Sequence, residues 1–226
     1  MKGVFVTGTD TGVGKTLVAA ALVRAFAATG RKAVGMKPVA SGAVAGSDGA
    51  AMWEDVVALQ RAANVEAPLE WVNPYRFMPP IAPHLAAADA GVTIDLGRVT
   101  EACGHLADLA DAVVVEGVGG FLVPLNDHEG AAEMACRLGL PVVMVVGMRL
   151  GCINHALLTA EAVRSRGLRL AGWVANAVDP LMARFDDNLA ALRSRLSAPL
   201  LGAVPRQDRP DPDAVAKLLD LRAFPL

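Results

Sequence analysis

Neither sign of charge dominates this chain: 21 Lys and Arg stand against 23 Asp and Glu over 226 residues, a formal net charge of −2. That balance gives no basic field for a nucleic-acid backbone, and no run of like charge marks an interaction tail. Cysteine is scarce. Cys103, Cys136 and Cys152 are odd in number and lack C-x-x-C spacing, so neither a disulfide framework nor a zinc site is suggested and a reducing compartment is expected. The four histidines, His84, His105, His128 and His155, show no H-x-x-x-H spacing, and G-x-S-x-G is missing, so no Ser-His-Asp arrangement is evident. Apolar runs such as 140–148 fall short of the roughly 20 residues a membrane helix needs. No cleavable leader is read ahead of the first motif, and a cytoplasmic location with no membrane or nucleic-acid partner is expected.

What is present is apolar: 54% hydrophobic residues against 19% charged. This calls for a large buried fraction or a sizeable subunit interface, and one α/β domain over residues 1–226 that assembles into an oligomer is the natural expectation. The chain is organised around Val4-Phe5-Val6-Thr7-Gly8-Thr9-Asp10-Thr11-Gly12-Val13-Gly14-Lys15-Thr16. Residues 4–6 suit a buried strand, and residues 15–28 carry apolar side chains at Val18, Leu22, Ala25 and Phe26, one helical face. Strand, glycine turn and helix together form the context of a phosphate-binding loop. Its glycines expose backbone N–H groups to an anion and the helix start adds partial positive charge. Lys15 can reach terminal phosphates, and the Thr16 hydroxyl can hold Mg²⁺. One departure stands out: the usual spacing requires glycine at position 9, where this chain has Thr9, and Gly8 lies one residue too early.

Further along, a short strand over 33–37 ends in Lys37-Pro38-Val39-Ala40-Ser41-Gly42, read as a loop. A polar segment over 43–50 leads into a helix over 51–63, with Glu54 and Asp55 in its first turns. Asn73-Pro74-Tyr75-Arg76-Phe77 precedes a proline-flanked loop over 78–83 expected near the site. Helical patterns cover 84–90 and 95–109. The apolar strand 112–116 closes with Glu116 and Gly117-Val118-Gly119-Gly120. A helix near 130–138, a strand over 141–146, a helix from Gly151 to about 166, a strand over 170–175 ending at Asn176, a helix over 181–196, a strand over 199–204 and a helix over 214–221 complete the reading. Alternating strands and helices, with strands apolar on both faces, predict a mainly parallel sheet covered on both sides, a P-loop NTPase fold. Ligands bind beyond the carboxyl ends of such strands, which gathers the glycine loop, Lys37, Glu116 and Asn176 into one crevice.

One hydroxyl and one or two carboxylates suffice for Mg²⁺ on a nucleotide, and Thr16 and Glu116 fit by position. The alternative for Glu116 is an acid capping the following glycine turn, against which strand-end acids in phosphate-binding sheets commonly face the metal. Asp55 and Glu54 are not separated by spacing, since the helix dipole favours both. Lys37 is either a surface lysine or a second cation for phosphate. Asn176 is a reader of the base or a turn residue.

These blocks, with Gly151-Cys152-Ile153-Asn154-His155 and Ala171-Gly172-Trp173-Val174-Ala175-Asn176, together resemble the dethiobiotin synthetases, from residue 6 to about 205. In that family the loop carries an extra residue between its glycines, so the departure at Thr9 supports the resemblance. The resemblance implies an ATP-dependent ligase acting on 7,8-diaminopelargonate and CO₂. An amine forms a carbamate, the carbamate attacks the γ-phosphate of ATP, and the second amine displaces phosphate to close the cyclic urea. Carried over by position, Lys37, Lys15 and Thr11 are the catalytic candidates, and Ser41 joins Thr11 in contacting the substrate. Thr16, Asp55 and Glu116 would hold Mg²⁺. Gly12, Val13, Gly14, Lys15, Thr16, Leu17, Asp55, Glu116, Gly117, Val118 and Gly119 would line the phosphates, with Asn176, Ala177, Pro205, Arg206 and Gln207 around the base. Gly151, Cys152, Ile153 and Asn154 would present a helix start to the substrate carboxylate across a homodimer contact. Family members often carry an acid where this chain has Gly12, and the segment 208–213 departs from the family near the ribose. The rival reading is a dimeric switch ATPase of the partitioning or cell-division type, whose signature lysine would fall at Asp10. A GTP-binding switch is weaker, since Asn176-Ala177-Val178-Asp179 resembles N-K-x-D without its lysine.

Overall fold

The computed structural model describes residues 2–46 and 49–222. Six parallel strands form the centre: β1 (Gly3–Gly8), β2 (Ala33–Met36), β7 (Ala112–Glu116), β8 (Val142–Met148), β9 (Leu170–Ala177) and β10 (Leu200–Val204), in the order β10-β9-β8-β1-β7-β2. Around them run α1 (Lys15–Ala27), α2 (Glu54–Ala62), α3 (Leu69–Val72), α4 (Pro83–Asp89), α5 (Leu96–Leu109), α6 (Ala131–Leu138), α7 (Cys152–Ser165), α8 (Phe185–Arg195) and α9 (Pro212–Ala216). Strand β1 shows why both faces are apolar. Val4 and Val6 pack with Val18 and Leu22 of α1, while Phe5 points into the opposite core with Val99, Leu106 and Met134. A third cluster around Trp173, Met144 and Cys152 seats α7 and α8 on the far half of the sheet. No described helix is long and apolar enough to cross a membrane.

The expected sheet and nearly all its elements are present, with differences at the edges. The segment 39–41 is a strand, β3 (Val39–Ser41), which pairs in parallel with β6 (Tyr75–Phe77) outside the main sheet. Helix α2 begins at Glu54 because Ala51 and Met52 form β5 and pair with β4 (Val44–Ala45). Only 43–46 and 49–50 of the polar segment are described; Ser47 and Asp48 lie outside the described residues. Helix α8 starts at Phe185 and not near 181, where the Asp179 carboxylate accepts from Leu181 N in a local turn. Helix α9 starts earlier than expected, because Asp211 caps it by accepting from the N–H groups of Asp213 and Ala214 with Pro212 at the first turn. It also ends earlier: the following chain turns back so that Asp220 N donates to Leu201 O at 2.7 Å.

Candidate active site

The glycine loop follows β1, and its left-handed turns need residues without a Cβ: Gly12 has φ 74° and Gly14 φ 90°. Beside Gly14 stands Asn176, at the end of β9, which donates from Nδ2 to Val13 O at 2.8 Å. A Cβ on Gly14 would lie 2.2 Å from that nitrogen. Gly14→Ala is therefore expected to strain the loop by about 1–3 kcal/mol and to weaken ATP binding at least about tenfold. Titration calorimetry checks this, and unchanged affinity would show that the loop tolerates displacement of Asn176.

Lys37 defines the floor. Its Nζ donates to Glu116 Oε1 at 2.7 Å and to Gly117 O at 3.2 Å, and lies 2.9 Å from Asp55 Oδ2. Thr16 Oγ1 donates to the same Glu116 oxygen at 2.8 Å. Lysine at a strand end is ordinarily solvated, and both lysines were expected outside the core; instead Lys37 is 4% exposed and Lys15 7%. Burial alone would lower the Lys37 ammonium, but the Glu116 and Asp55 carboxylates and their hydrogen bonds raise it above the ordinary lysine value. The amine is a fixed cation at neutral pH.

Lys15 is tuned the other way. Its Nζ donates to Asp10 O at 2.9 Å. Burial, and then the neighbouring Lys37 charge, lower its pKa to about 8. Phosphate oxygens favour the charged amine, so ATP affinity is expected to hold below pH 8 and to fall about tenfold per unit above it. Binding at pH 8 should draw protons from solution, which calorimetry in two buffers of different ionisation enthalpy reads directly. An affinity flat to pH 9.5 would mean that Lys15 does not meet the phosphates.

These groups surround one cavity of about 680 Å³. Thr11, Gly12, Gly14, Lys15, Thr16, Lys37, Ser41, Asp55, Glu116, Val118 and Gly119 line it, so most of the sequence candidates meet there. The sequence missed Val123 and, as lining groups, Pro80, Ile81, Ala82 and Pro83. They add apolar lining beside the charged groups, and the forecast of a loop over 78–83 pointed to all but Val123. Val13 is buried beneath the loop, Leu17 lines an adjoining groove with Pro210 and Pro212, and Gly117 contributes its carbonyl to Lys37. Ala177 ends β9; Arg206 donates to Val178 O and Gln207 Oε1 accepts from Asp211 N, clear of the cavity. Pro205 leads into that loop and also stays out of the cavity lining.

Gly151, Cys152, Ile153 and Asn154 do not line the cavity of their own chain. Cys152 is buried in the α7 core and its N–H donates to Arg149 O at 3.0 Å. This corrects the expectation of a wholly free helix start: neither the Cys152 sulfur nor its N–H is available, leaving Ile153 and Asn154 as the donors an anion could meet. At position 10 the carboxylate of Asp10 pairs with Arg149 of the same chain.

Mg²⁺ takes hard oxygen ligands. The Asp55 and Glu116 carboxylates already converge on one positive charge, the Lys37 ammonium, the Thr16 hydroxyl donates to Glu116, and Glu116 Oε2 is buried with no hydrogen-bond partner among the described residues. That oxygen set suits the ion. No cluster of three or more His, Cys, Asp or Glu side chains occurs among the described residues, so the remaining ligands would come from nucleotide and water.

A family model described as an AAA domain matches residues 2–213. The ATP-dependent dethiobiotin synthetase BioD of Nitrosospira multiformis is 56% identical over 220 residues, covering 97% of this chain and 95% of the relative. The chain belongs to the dethiobiotin synthetase family. The enzyme of the same name from Aromatoleum aromaticum is 54% identical, covering 96% of each chain. Among solved structures, the septum site-determining protein MinD of Pyrococcus horikoshii with Mg-ADP aligns with a TM-score of 0.58 at 18% identity, over 91% of this chain and 82% of that one. A ParA family ATPase from Chlorobium tepidum aligns at 0.54 and 14% identity, over 92% and 86%. Those two likenesses concern the fold. The switch-ATPase reading goes no further, because position 10 holds an acid where that class resembles a signature lysine.

Proposed function

We infer that this chain is an ATP-dependent dethiobiotin synthetase that carboxylates 7,8-diaminopelargonate and closes the cyclic urea in the cavity above Lys37. The observation that carries the reading is the meeting, in one cavity, of a phosphate loop, two lysines, Thr11 and Ser41 with the apolar residues Pro80, Ile81 and Val123. Phosphoryl transfer needs positioning and charge neutralisation more than a protein nucleophile. One amine of the substrate adds to CO₂ and loses a proton to give a carbamate. The carbamate oxygen attacks the γ-phosphorus, ADP leaves, and the second amine attacks the anhydride carbon and expels phosphate. Lys15 and Lys37 offset the charge on phosphate and carbamate, while Thr11 and Ser41 orient the carbamate. Mg²⁺, held by Thr16, Asp55 and Glu116, would neutralise the nucleotide phosphates. The apolar lining suits an aliphatic chain. Incubation with the diamine, bicarbonate, Mg²⁺ and ATP should yield a product whose mass is that of the cyclic urea; its absence from active, folded protein would end this reading.

A cytoplasmic homodimer with a shared substrate site belongs to the same proposal. Support comes from Leu150, 96% exposed, Leu181, 88% exposed, and Leu158 on and beside α7, apolar surface that calls for a partner. Dimers mixed from a Lys15→Gln subunit and an Asn154→Glu subunit should regain part of the activity both parents lack, since one pocket of each mixed dimer has both intact halves. No recovery despite demonstrated mixing would exclude sharing.

A further inference from the structure

Asn73 belongs to Asn73-Pro74-Tyr75-Arg76-Phe77, which has no role so far. Its side chain is 0% exposed, and Nδ2 donates to Lys37 O at 2.6 Å and to Tyr75 O at 2.9 Å. Both partners are carbonyl oxygens, so the amide orientation follows from the network itself. On the other side of the same residue, Lys37 N donates to Val72 O at 2.8 Å. Lys37 is the first residue beyond β2, where the main sheet no longer supports the chain. Its two backbone groups are instead held by residues 72 and 73. Tyr75 N then donates to Pro38 O, and β3 pairs with β6 through Val39 opposite Tyr75 and Ser41 opposite Phe77. The buried Asn73 amide is thus the side-chain member of a set of bonds that fastens the segment carrying both Lys37 and Ser41 to the cavity.

We propose that Asn73 is a positioning residue for catalysis, its carboxamide fixing the Lys37 main chain so that the ammonium meets the carbamate and γ-phosphate. The inference rests on the reading of Lys37 as catalytic. Chemistry explains the choice of side chain. Two carbonyls are met by two donors from one small group, which Asn supplies, whereas Asp would oppose them with negative charge and Ala would supply no donor. The opposite end of the amide is informative: Asn73 Oδ1 is buried without a partner among the described residues. A residue selected for stability alone gains nothing from an unpaired buried acceptor, so its two N–H groups are what this position uses.

The test is a double-mutant cycle on turnover with Asn73→Ala, Lys37→Gln and the pair, with ATP affinity measured by calorimetry in the absence of diamine. Asn73→Ala is expected to lower kcat about 10- to 100-fold, as displacement of a catalytic group does, with ATP affinity changed less than about twofold. In the Lys37→Gln background the same replacement should cost less than about threefold, because the group it positions is gone. Asn73→Ser, which removes less volume and keeps one donor, should fall between Asn73→Ala and the unmodified enzyme. The same fold-loss in both backgrounds, or ATP affinity falling in step with kcat, overturns the proposal. So does failure of both variants to fold, which would make Asn73 a residue of the core alone. Undiminished turnover in Lys37→Gln by itself removes the reading of Lys37 and not the geometry of the clamp.

Discussion

Lys37→Gln is expected to lower turnover about 10²- to 10³-fold, the loss found when one preorganised charge stabiliser is removed. The fold should weaken as well. In the native site the Lys37 ammonium stands between Asp55 and Glu116, and Glu116 is 1% exposed. Removing the cation leaves the buried Glu116 carboxylate and the partly exposed Asp55 carboxylate without their shared partner, a loss smaller than the ~3–5 kcal/mol of a fully buried pair because solvent reaches Asp55. Calorimetric melting should therefore show a lower Tm in EDTA, and Mg²⁺ should raise the Tm of the variant more than that of the unmodified enzyme, since the ion restores the missing charge. The pH dependence has a definite sign. Because the folded Lys37 pKa lies above its unfolded value, the pair's contribution is complete below about pH 10. It is lost as pH rises through the folded value, and the variant should lack that alkaline loss. Full turnover, or a Tm that ignores Mg²⁺, would contradict the site as drawn.

ATP hydrolysis is expected to require diamine and dissolved CO₂ together, with the rate in the absence of either lower by about 10² or more. The acceptor of the phosphoryl group is the carbamate, which neither reagent supplies alone, and positioning a nucleophile is where such sites gain most of their rate. Water is a poor substitute. The apolar lining of Pro80, Ile81, Ala82, Pro83 and Val123 displaces solvent from part of the cavity, and the described residues place no histidine in its lining. A coupled assay of ADP release, with bicarbonate stripped or diamine omitted, reads the dependence. Fast hydrolysis without diamine would return the chain to the class of switch ATPases.

The phosphate loop was legible because its chemistry leaves few choices of residue: glycines at left-handed positions, lysine for phosphate, and a hydroxyl for the ion. The parallel sheet was legible because strands buried on both faces read as unbroken apolar runs. Lys37 shows where sequence stops. Local chemistry places a lysine after a strand in water, and its burial arises only because Glu116, 79 residues later, and Asp55 on α2 converge on it. Spacing could not choose between Glu54 and Asp55; the structure brings Asp55 to the ammonium. Strands β3 and β6 were missed for a similar reason: each has three residues, and Pro38 and Gly42 around β3 are loop signals that tertiary pairing overrode. Helix α7 follows the reading that opened it at Gly151, but the exposure of Leu150 was beyond sequence reading, since an apolar residue after a strand carries no sign of which side it faces.

The strand order bears on how this protein is made. The loop that binds phosphate precedes all its supports in the chain: β1 pairs with β7 and β8, and Asn176 reaches back 163 residues to hold Val13. At the usual pace of synthesis, about 5–20 residues per second, that last support arrives roughly 10–30 seconds after the loop. Until β7 and then β8 are made, β1 is an apolar segment with unpaired edges, open to pairing with other nascent chains. Its long-range pairings also make folding slow for the chain's size. A central strand whose partners lie so far along the chain should leave fragments that lack β7 and β8 accumulating as aggregates, not as partial enzymes.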